Sequence, residues 1–315
     1  MNSPAPPQIG ADPTLLRVPL YRFLAPRYWL MWAALGVVFA ISCLPHRAVL
    51  WVGRRLGDLA YVFSKRDKRI ADINIRMCLP QLSDAERKRL VREHFGSLGC
   101  ALFETVYVWS TRDALLRRLV RYEGVEHLQA ALAKGRGALM LSAHFTTLEL
   151  GAKALALLGP TSPMYLTPQN ALIAELSRRG RARSAVQAIA ADQVRELLQN
   201  LKDNIAVWYA PDQRYTDKNS AVVPLFGHPA WSNIATSRLA RISKAPVLPY
   251  FPERLADGSG YLMRILPPFD NYPSDDPVAD TARFHALIEE HVRRCPAQYL
   301  WTYKRFKSPD VDPYR

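Results

Sequence analysis

A histidine and a carboxylate stand five residues apart at His144 and Glu149, where an apolar run over residues 137–143 gives way to Leu148, Leu150, Ala152, Leu155 and Leu157 at helical spacing. The run reads as a buried strand, and the change of period marks a strand-to-helix junction, a common place for catalytic groups in α/β proteins. There an imidazole can serve as a general base and a carboxylate can orient it. A helix-capping histidine explains the same residues equally well, and the pair alone does not separate the two. No Ser or Cys occupies a GxSxG-type elbow, so a catalytic His144 would deprotonate an external nucleophile directly.

Two further sites carry useful chemistry. Arg178, Arg179, Arg181 and Arg183 form a basic run after a helix. Guanidinium groups bind phosphates bidentately, although at least two of the four read as a solvated turn. Asp212 ends the strand at residues 204–210 as Tyr-Ala-Pro-Asp, where it could orient a substrate or a basic residue, or cap a turn. There is no HExxH, and the histidines at 46, 94, 127, 228, 285 and 291 are scattered, so no metal is expected. No Gly-rich phosphate loop is present, so no cofactor is expected either. The four cysteines (Cys43, Cys78, Cys100, Cys295) lack CxxC spacing, which points to a reducing compartment rather than a disulfide framework.

The elements that must hold these residues alternate in period. Helical patterns cover residues 70–115 as a pair, the second opened by the capping box Ser83-Asp-Ala-Glu86, and another covers 125–134. Beyond residue 150, strands at 163–166, 204–210, 221–226, 246–251 and 261–266 alternate with helices at 172–179, 191–201, 232–242 and 281–294. That alternation predicts an α/β domain over residues 70–315, with a mixed, mostly parallel sheet flanked by helices. His144 and Asp212 both fall just past strand ends, where such sheets gather their sites.

The chain of 315 residues is 49% hydrophobic and carries a net charge of +14. That charge favours anionic partners. Aromatics do not interleave with the basic runs, so nucleic acid is not expected. Residues 1–16 are Pro-rich and read as disordered. Residues 17–69 read as a membrane anchor followed by an interfacial helix. The uncharged stretch 28–44 begins with Tyr28, Trp29 and Trp32, placed like an aromatic belt. After it, Val49, Leu50, Val52, Leu56, Leu59, Ala60 and Phe63 alternate with Arg54, Arg55 and Asp58, a pattern suited to an anionic bilayer. Basic residues flank the anchor on both sides, so the cysteines, rather than the charge rule, favour a cytoplasmic bulk.

Several blocks in order then resemble the late acyltransferases of lipid A biosynthesis, the lauroyl/myristoyl transferases of the Gram-negative inner membrane. They are Pro26-Arg-Tyr-Trp29, Leu82-Ser-Asp-Ala-Glu-Arg87, His144-Phe-Thr-Thr-Leu-Glu-Leu-Gly151, Gly180-Arg181, Val207-Trp-Tyr-Ala-Pro-Asp212, Val223-Pro-Leu-Phe226, Pro296-Ala-Gln-Tyr-Leu-Trp301 and Arg305-Phe-Lys307. The resemblance implies a glycerolipid-acyltransferase-like fold with an N-terminal membrane helix, in the inner membrane with the catalytic domain facing the cytoplasm. It implies transfer of a fatty acyl group from acyl carrier protein, or less often coenzyme A, to the hydroxyl of a 3-hydroxyacyl chain on a Kdo-bearing lipid A precursor. It makes His144 the base, Glu149 its partner, and Arg181 and Asp212 substrate-placing residues. Two stretches depart from the family pattern. Arg214, within Gln213-Arg-Tyr-Thr216, puts a positive charge where an acidic residue is usual, and Thr302-Tyr-Lys304 replaces a commoner histidine- and arginine-containing form. The competing expectations are glycerophospholipid acyl transfer, against which Glu149 argues because that family has Asp there, and a non-enzymatic membrane lipid-binding protein.

Overall fold

The apolar runs that precede His144 and Asp212 become neighbouring parallel strands at the centre of a sheet. The structure, a computed structural model, describes residues 18–165, 168–183, 185–309 and 311–315. The stretch 1–16, expected to be disordered, lies outside the described residues. In chain order the elements are α1 (Trp29–Ser42), α2 (His46–Phe63), α3 (Lys65–Cys78), α4 (Asp84–Ser110), α5 (Asp113–Leu119), β1 (Val120–Glu123), α6 (Val125–Leu132), β2 (Ala138–Leu141), α7 (Leu148–Ala156) and β3 (Thr161–Tyr165). Then follow α8 (Ala171–Arg181), β4 (Ile189–Ala190), α9 (Val194–Lys202), β5 (Ala206–Tyr209), β6 (Ser220–Leu225), β7 (His228–Asn233), α10 (Ala235–Ser243), β8 (Val247–Arg254), β9 (Tyr261–Ile265) and α11 (Pro277–Arg294).

Seven strands form one sheet in the order β1-β9-β8-β2-β5-β3-β4, parallel except for β8 against β9. The expected mixed, mostly parallel sheet flanked by helices is therefore present. Its central strands are apolar throughout because both faces are covered. Leu139, Leu141, Val207 and Tyr209 face one core with Ile75, Phe95, Leu197 and Ile288. Ala138, Met140, Ala206 and Trp208 face the other with Leu116, Leu128 and Leu155. The period of two divides the residues of each strand between the cores. β6 and β7 form a separate antiparallel hairpin. The Ser83/Glu86 capping box is intact at the start of α4.

The anchor departs from expectation. Residues 28–44 do not make a membrane-crossing helix. α1 has 14 residues, or roughly 21 Å of helix against a ~30 Å hydrocarbon core. It stops before Leu44-Pro45, since the residue preceding a proline is disfavoured in helix. Among the described residues no helix is long and apolar enough to cross a membrane. α2 instead lies tightly on α4. Added β-carbons at Gly57 and Gly99 would come within 2.1 Å of Phe95 O and 2.0 Å of Gly53 O. With Val49, Leu50, Gly53 and Gly57 turned inward, Leu56, Leu59, Val62 and Phe63 are left outside.

A buried ion pair ties this helical layer to the sheet. The Arg254 guanidinium donates to Glu104 at 2.6 and 2.5 Å, and both side chains are at most 5% exposed. Tyr261 Oη donates to the same carboxylate at 2.6 Å, and His46 Nε2 meets that hydroxyl at 2.9 Å. Replacing Glu104 by glutamine strands the Arg254 charge in the core. The expected cost is about 3–5 kcal/mol, read as a lower urea midpoint at unchanged slope.

Candidate active site

In the sheet register Leu141 of β2 lies opposite Tyr209 of β5. His144 and Asp212 each come three residues later, so the parallel strands bring their loops side by side at the carboxyl end of the sheet. Buried Asp212 accepts the His144 backbone N–H at 3.0 Å and the ring Nδ1 at 2.5 Å. An ionised carboxylate only accepts, so Nδ1 carries the proton and Nε2 is left as the basic nitrogen. Burial disfavours the imidazolium, but the charge and hydrogen bond of Asp212 outweigh it and hold His144 above its ordinary value. Burial pushes the Asp212 carboxyl up as well, and His144 overcomes this to keep it below the usual range, with Arg305 acting in the same direction.

The loop carrying His144 is fastened at every residue. Leu300 N–H donates to His144 O at 3.0 Å, and Thr146 N–H to Gln298 O at 2.7 Å. Phe145 is bridged to Tyr299. Thr146 Oγ1 meets Ser97 Oγ at 2.7 Å, and Ser97 in turn accepts from Arg254 at 2.8 Å. Thr147 Oγ1 donates to Pro252 O at 3.0 Å. Such fastening keeps a base in a productive geometry without reorganisation.

Glu149 does not take the place expected of it. Asp212 occupies Nδ1, whereas Glu149 stands in the first turn of α7 and pairs with Arg181 at the end of α8. The α-helix carries Glu149 away from the ring that the strand register gives to Asp212. Trp109 Nε1 donates to Glu149 Oε2 at 3.3 Å, a contact without any sequence signal. The Trp109 ring lies on Gly180, where an added β-carbon would sit 2.4 Å from it. Gly180→Ala is therefore expected to lower stability by about 1–3 kcal/mol through overpacking. It should also weaken the activity of the site, because the Trp109 contact to Glu149 shifts with the ring; a thermal melt and an activity assay on one preparation measure both.

Of the basic run, Arg178 and Arg179 bind Glu175 at 2.6 Å each and Arg183 binds Trp109 O at 2.5 Å. Arg181 alone of the four reaches the site, with its guanidinium 4.9 Å from the Tyr165 ring centroid. Its Nη1 is buried without a hydrogen-bond partner.

His144, Glu149 and Arg181 line one cavity of about 730 Å³. Its walls include Leu148, Met164, Leu198, Trp208, Leu239 and Ile242. Arg214, Lys218 and Arg238 also line it, and among the described residues no carboxylate pairs with any of these three. The departure at Arg214 thus places an extra cation in the cavity wall. The arrangement suits an apolar chain with an anionic head, and a proton acceptor at the reacting atom. Among the described residues, metal-ligating atoms converge at Glu253, His291 and Cys295, within 4.8 Å of one another. That group lies in the core behind Phe145 rather than in the cavity, and the Arg264 guanidinium 3.7 Å from Glu253 opposes a cation there.

Residues 20–308 match the family described as bacterial lipid A biosynthesis acyltransferase. The lipid A biosynthesis palmitoleoyltransferase of Escherichia coli (strain K12) is 39% identical over 293 residues, covering 92% of this chain and 94% of that protein. The lauroyltransferase of the same organism is 36% identical over 294 residues, covering 93% and 96%. Its myristoyltransferase is 25% identical over 307 residues, covering 93% and 92%.

Proposed function

Since the chain belongs to the bacterial lipid A biosynthesis acyltransferases, and is thus an acyltransferase acting in lipid A acylation, we propose that it moves a fatty acyl group from acyl carrier protein, or from coenzyme A, to the hydroxyl of a 3-hydroxyacyl chain on a Kdo-bearing lipid A precursor. The observation that carries this reading is the His144–Asp212 pair, which leaves Nε2 as the basic nitrogen on the wall of a largely apolar cavity.

The chemistry needs few parts. The acceptor hydroxyl is far too weak an acid to ionise at neutral pH, so His144 Nε2 takes its proton as the oxygen attacks the thioester carbonyl. The C–O bond forms, the C–S bond breaks, and the departing thiolate recovers the proton from the imidazolium. Asp212 fixes the tautomer and offsets the charge that forms on the ring. The carbonyl oxygen gathers negative charge and requires donors. The backbone N–H groups of His144, Phe145 and Thr146 are already committed to Asp212, Ala143 O and Gln298 O. The guanidinium of Arg181, which lines the cavity with His144, is the donor we assign, with Glu149 holding it in place. The apolar walls favour the acyl chain by about 0.8 kcal/mol per buried CH₂.

The protein would work at the inner membrane from the cytoplasmic side. Support comes from the exposed apolar residues of the first two helices, among them Leu30 at 84% and Phe63 at 75%, which suit in-plane seating in a bilayer. Mass spectrometry of lipid A from cells with and without the protein tests the reaction, since the added mass gives the chain and fragmentation gives its position. Purified enzyme offered both a Kdo-lipid A precursor and glycerol 3-phosphate provides the control. Acylation of glycerol 3-phosphate alone would sink the proposal.

A further inference from the structure

A second concavity, of about 310 Å³, opens between α2 and the turn joining β8 to β9. Arg47, Trp51, Arg54 and Arg55 of α2 form one wall, and Asp257 and Gly258 of the turn form the other. The spacing of three and four sets the α2 residues on a single helix face. Arg55 is engaged by Asp58 at 3.0 Å. Asp257 is turned into its own loop, where it accepts the Ser259 N–H at 2.9 Å. Among the described residues no carboxylate lies within ion-pair distance of Arg47 or Arg54. Arg54 also hydrogen-bonds Cys100, and Asp257 acts on Arg47 only through space, so neither guanidinium charge at this wall is neutralised by a bound carboxylate.

The surroundings are those of a lipid interface. Trp51 is 61% exposed, and further along the same helix Leu59, Val62 and Phe63 are 55%, 61% and 75% exposed. The helix cannot roll these residues inward, because Gly53 and Gly57 press on the α4 backbone too closely to admit even a β-carbon. Arginine, tryptophan and aliphatic side chains therefore follow one another along a fixed helix: phosphate-binding groups, a residue type that settles at head-group level, then apolar residues. The volume falls at the lower end of the range of ordinary ligand sites.

We propose that this concavity binds the phosphodiester head group of an anionic phospholipid, with the apolar residues of α2 seated among the acyl chains beside it. The site is separate from the catalytic cavity and rests on the membrane reading given above. It makes α2 a lipid-selective support rather than a merely hydrophobic one.

The test uses the full chain and co-sedimentation with phosphatidylcholine vesicles, with and without phosphatidylglycerol. The double variant Arg47→Gln/Arg54→Gln is compared with Arg195→Gln/Lys202→Gln, which removes the same charge from exposed positions on α9. The first is expected to bind phosphatidylglycerol vesicles about thirtyfold more weakly than the parent, the second less than threefold. Both should melt and acylate in detergent like the parent. Equal losses in the two variants would overturn the site and leave only diffuse attraction. Vesicle binding by the parent that is unchanged in millimolar inorganic phosphate, together with binding of inorganic phosphate alone that is lost in Arg47→Gln/Arg54→Gln, would assign the concavity to free phosphate and overturn the lipid. A parent that binds neither vesicle would instead overturn the membrane reading, so the two failures are distinct.

Discussion

Replacing His144 by alanine is expected to lower kcat for acyl transfer by about 10²–10⁴-fold, the usual range for a positioned general base. KM for the acyl donor should change little, because the cavity walls that hold the chain are untouched. The fold should survive. The carboxylate of Asp212 keeps the backbone N–H at position 144, and the loop keeps its bonds to Gln298, Leu300, Ser97 and Pro252. Stability should nonetheless fall in a pH-dependent way. Asp212 is held below its usual range chiefly by His144. Its contribution is therefore present above the unfolded carboxyl pKa and fades as pH drops through the lower folded value. Because Asp212 in turn holds the imidazole above its ordinary value, the pair contributes most between the depressed carboxyl and the raised imidazole. The gap between the two melting temperatures should therefore widen from neutral to mildly acidic pH and close again as pH drops through the folded carboxyl value. Full activity in a folded His144→Ala protein would remove this residue from the chemistry.

Much of this site could be read from the chain, and what could not has definite causes. The runs before His144 and Asp212 were legible as strands because burial on both faces makes them apolar throughout. Their adjacency was not legible. The residues are 68 apart, and only the parallel register of β2 with β5 makes them partners. Sequence distance instead favoured Glu149, five positions from the histidine. The same limit applies to Trp109 and Ser97, which lie on α4 and reach the site through packing alone. Gln298 and Arg305 stand in blocks that carry the family resemblance, yet the bond of Gln298 O to the catalytic loop and the charge that Arg305 brings to bear on Asp212 follow only from the fold.

Two elements misled for local reasons. Residues 232–242 carry a helical period, and the structure does place α10 there, but the residues just before it form β7. The β6–β7 turn is Phe226-Gly227, both at positive φ (51° and 74°). A hairpin of that kind usually announces itself with Asn-Gly or Asp-Gly, and phenylalanine hides it. β1 and β4 are short edge strands of 4 and 2 residues, too brief for a period to show. At the N-terminus the apolar content of residues 28–44 was plain, but composition alone does not reveal that Pro45 ends the helix and that the chain folds back as α2 against α4.

Asp212→Asn provides the sharpest measurement, because it separates rate from protonation. The carboxylate receives two N–H groups from His144, one from the backbone and one from Nδ1. An asparagine has a single acceptor oxygen, so only one of the two can be kept at full strength. If the amide NH₂ faces Nδ1, the imidazole must carry its proton on Nε2 and can no longer accept one from the hydroxyl. The expected loss in kcat is about 10⁴-fold, the scale seen when a carboxylate that sets a histidine tautomer is replaced by its amide. The residual activity should follow a displaced pH profile. In the parent, Asp212 raises the imidazole above its ordinary value of 6.5 against the effect of burial, so the acid limb of kcat/KM lies above that value. With the charge gone burial acts unopposed, the imidazole pKa falls, and the limb moves to lower pH. Glu149→Gln makes the contrast. Its carboxylate binds Arg181 and Trp109 rather than the ring, so its loss should reduce kcat through the oxyanion donor and leave the limb in place. A limb displaced by Glu149→Gln but not by Asp212→Asn would return the orienting role to Glu149 and overturn the assignment made from the strand register.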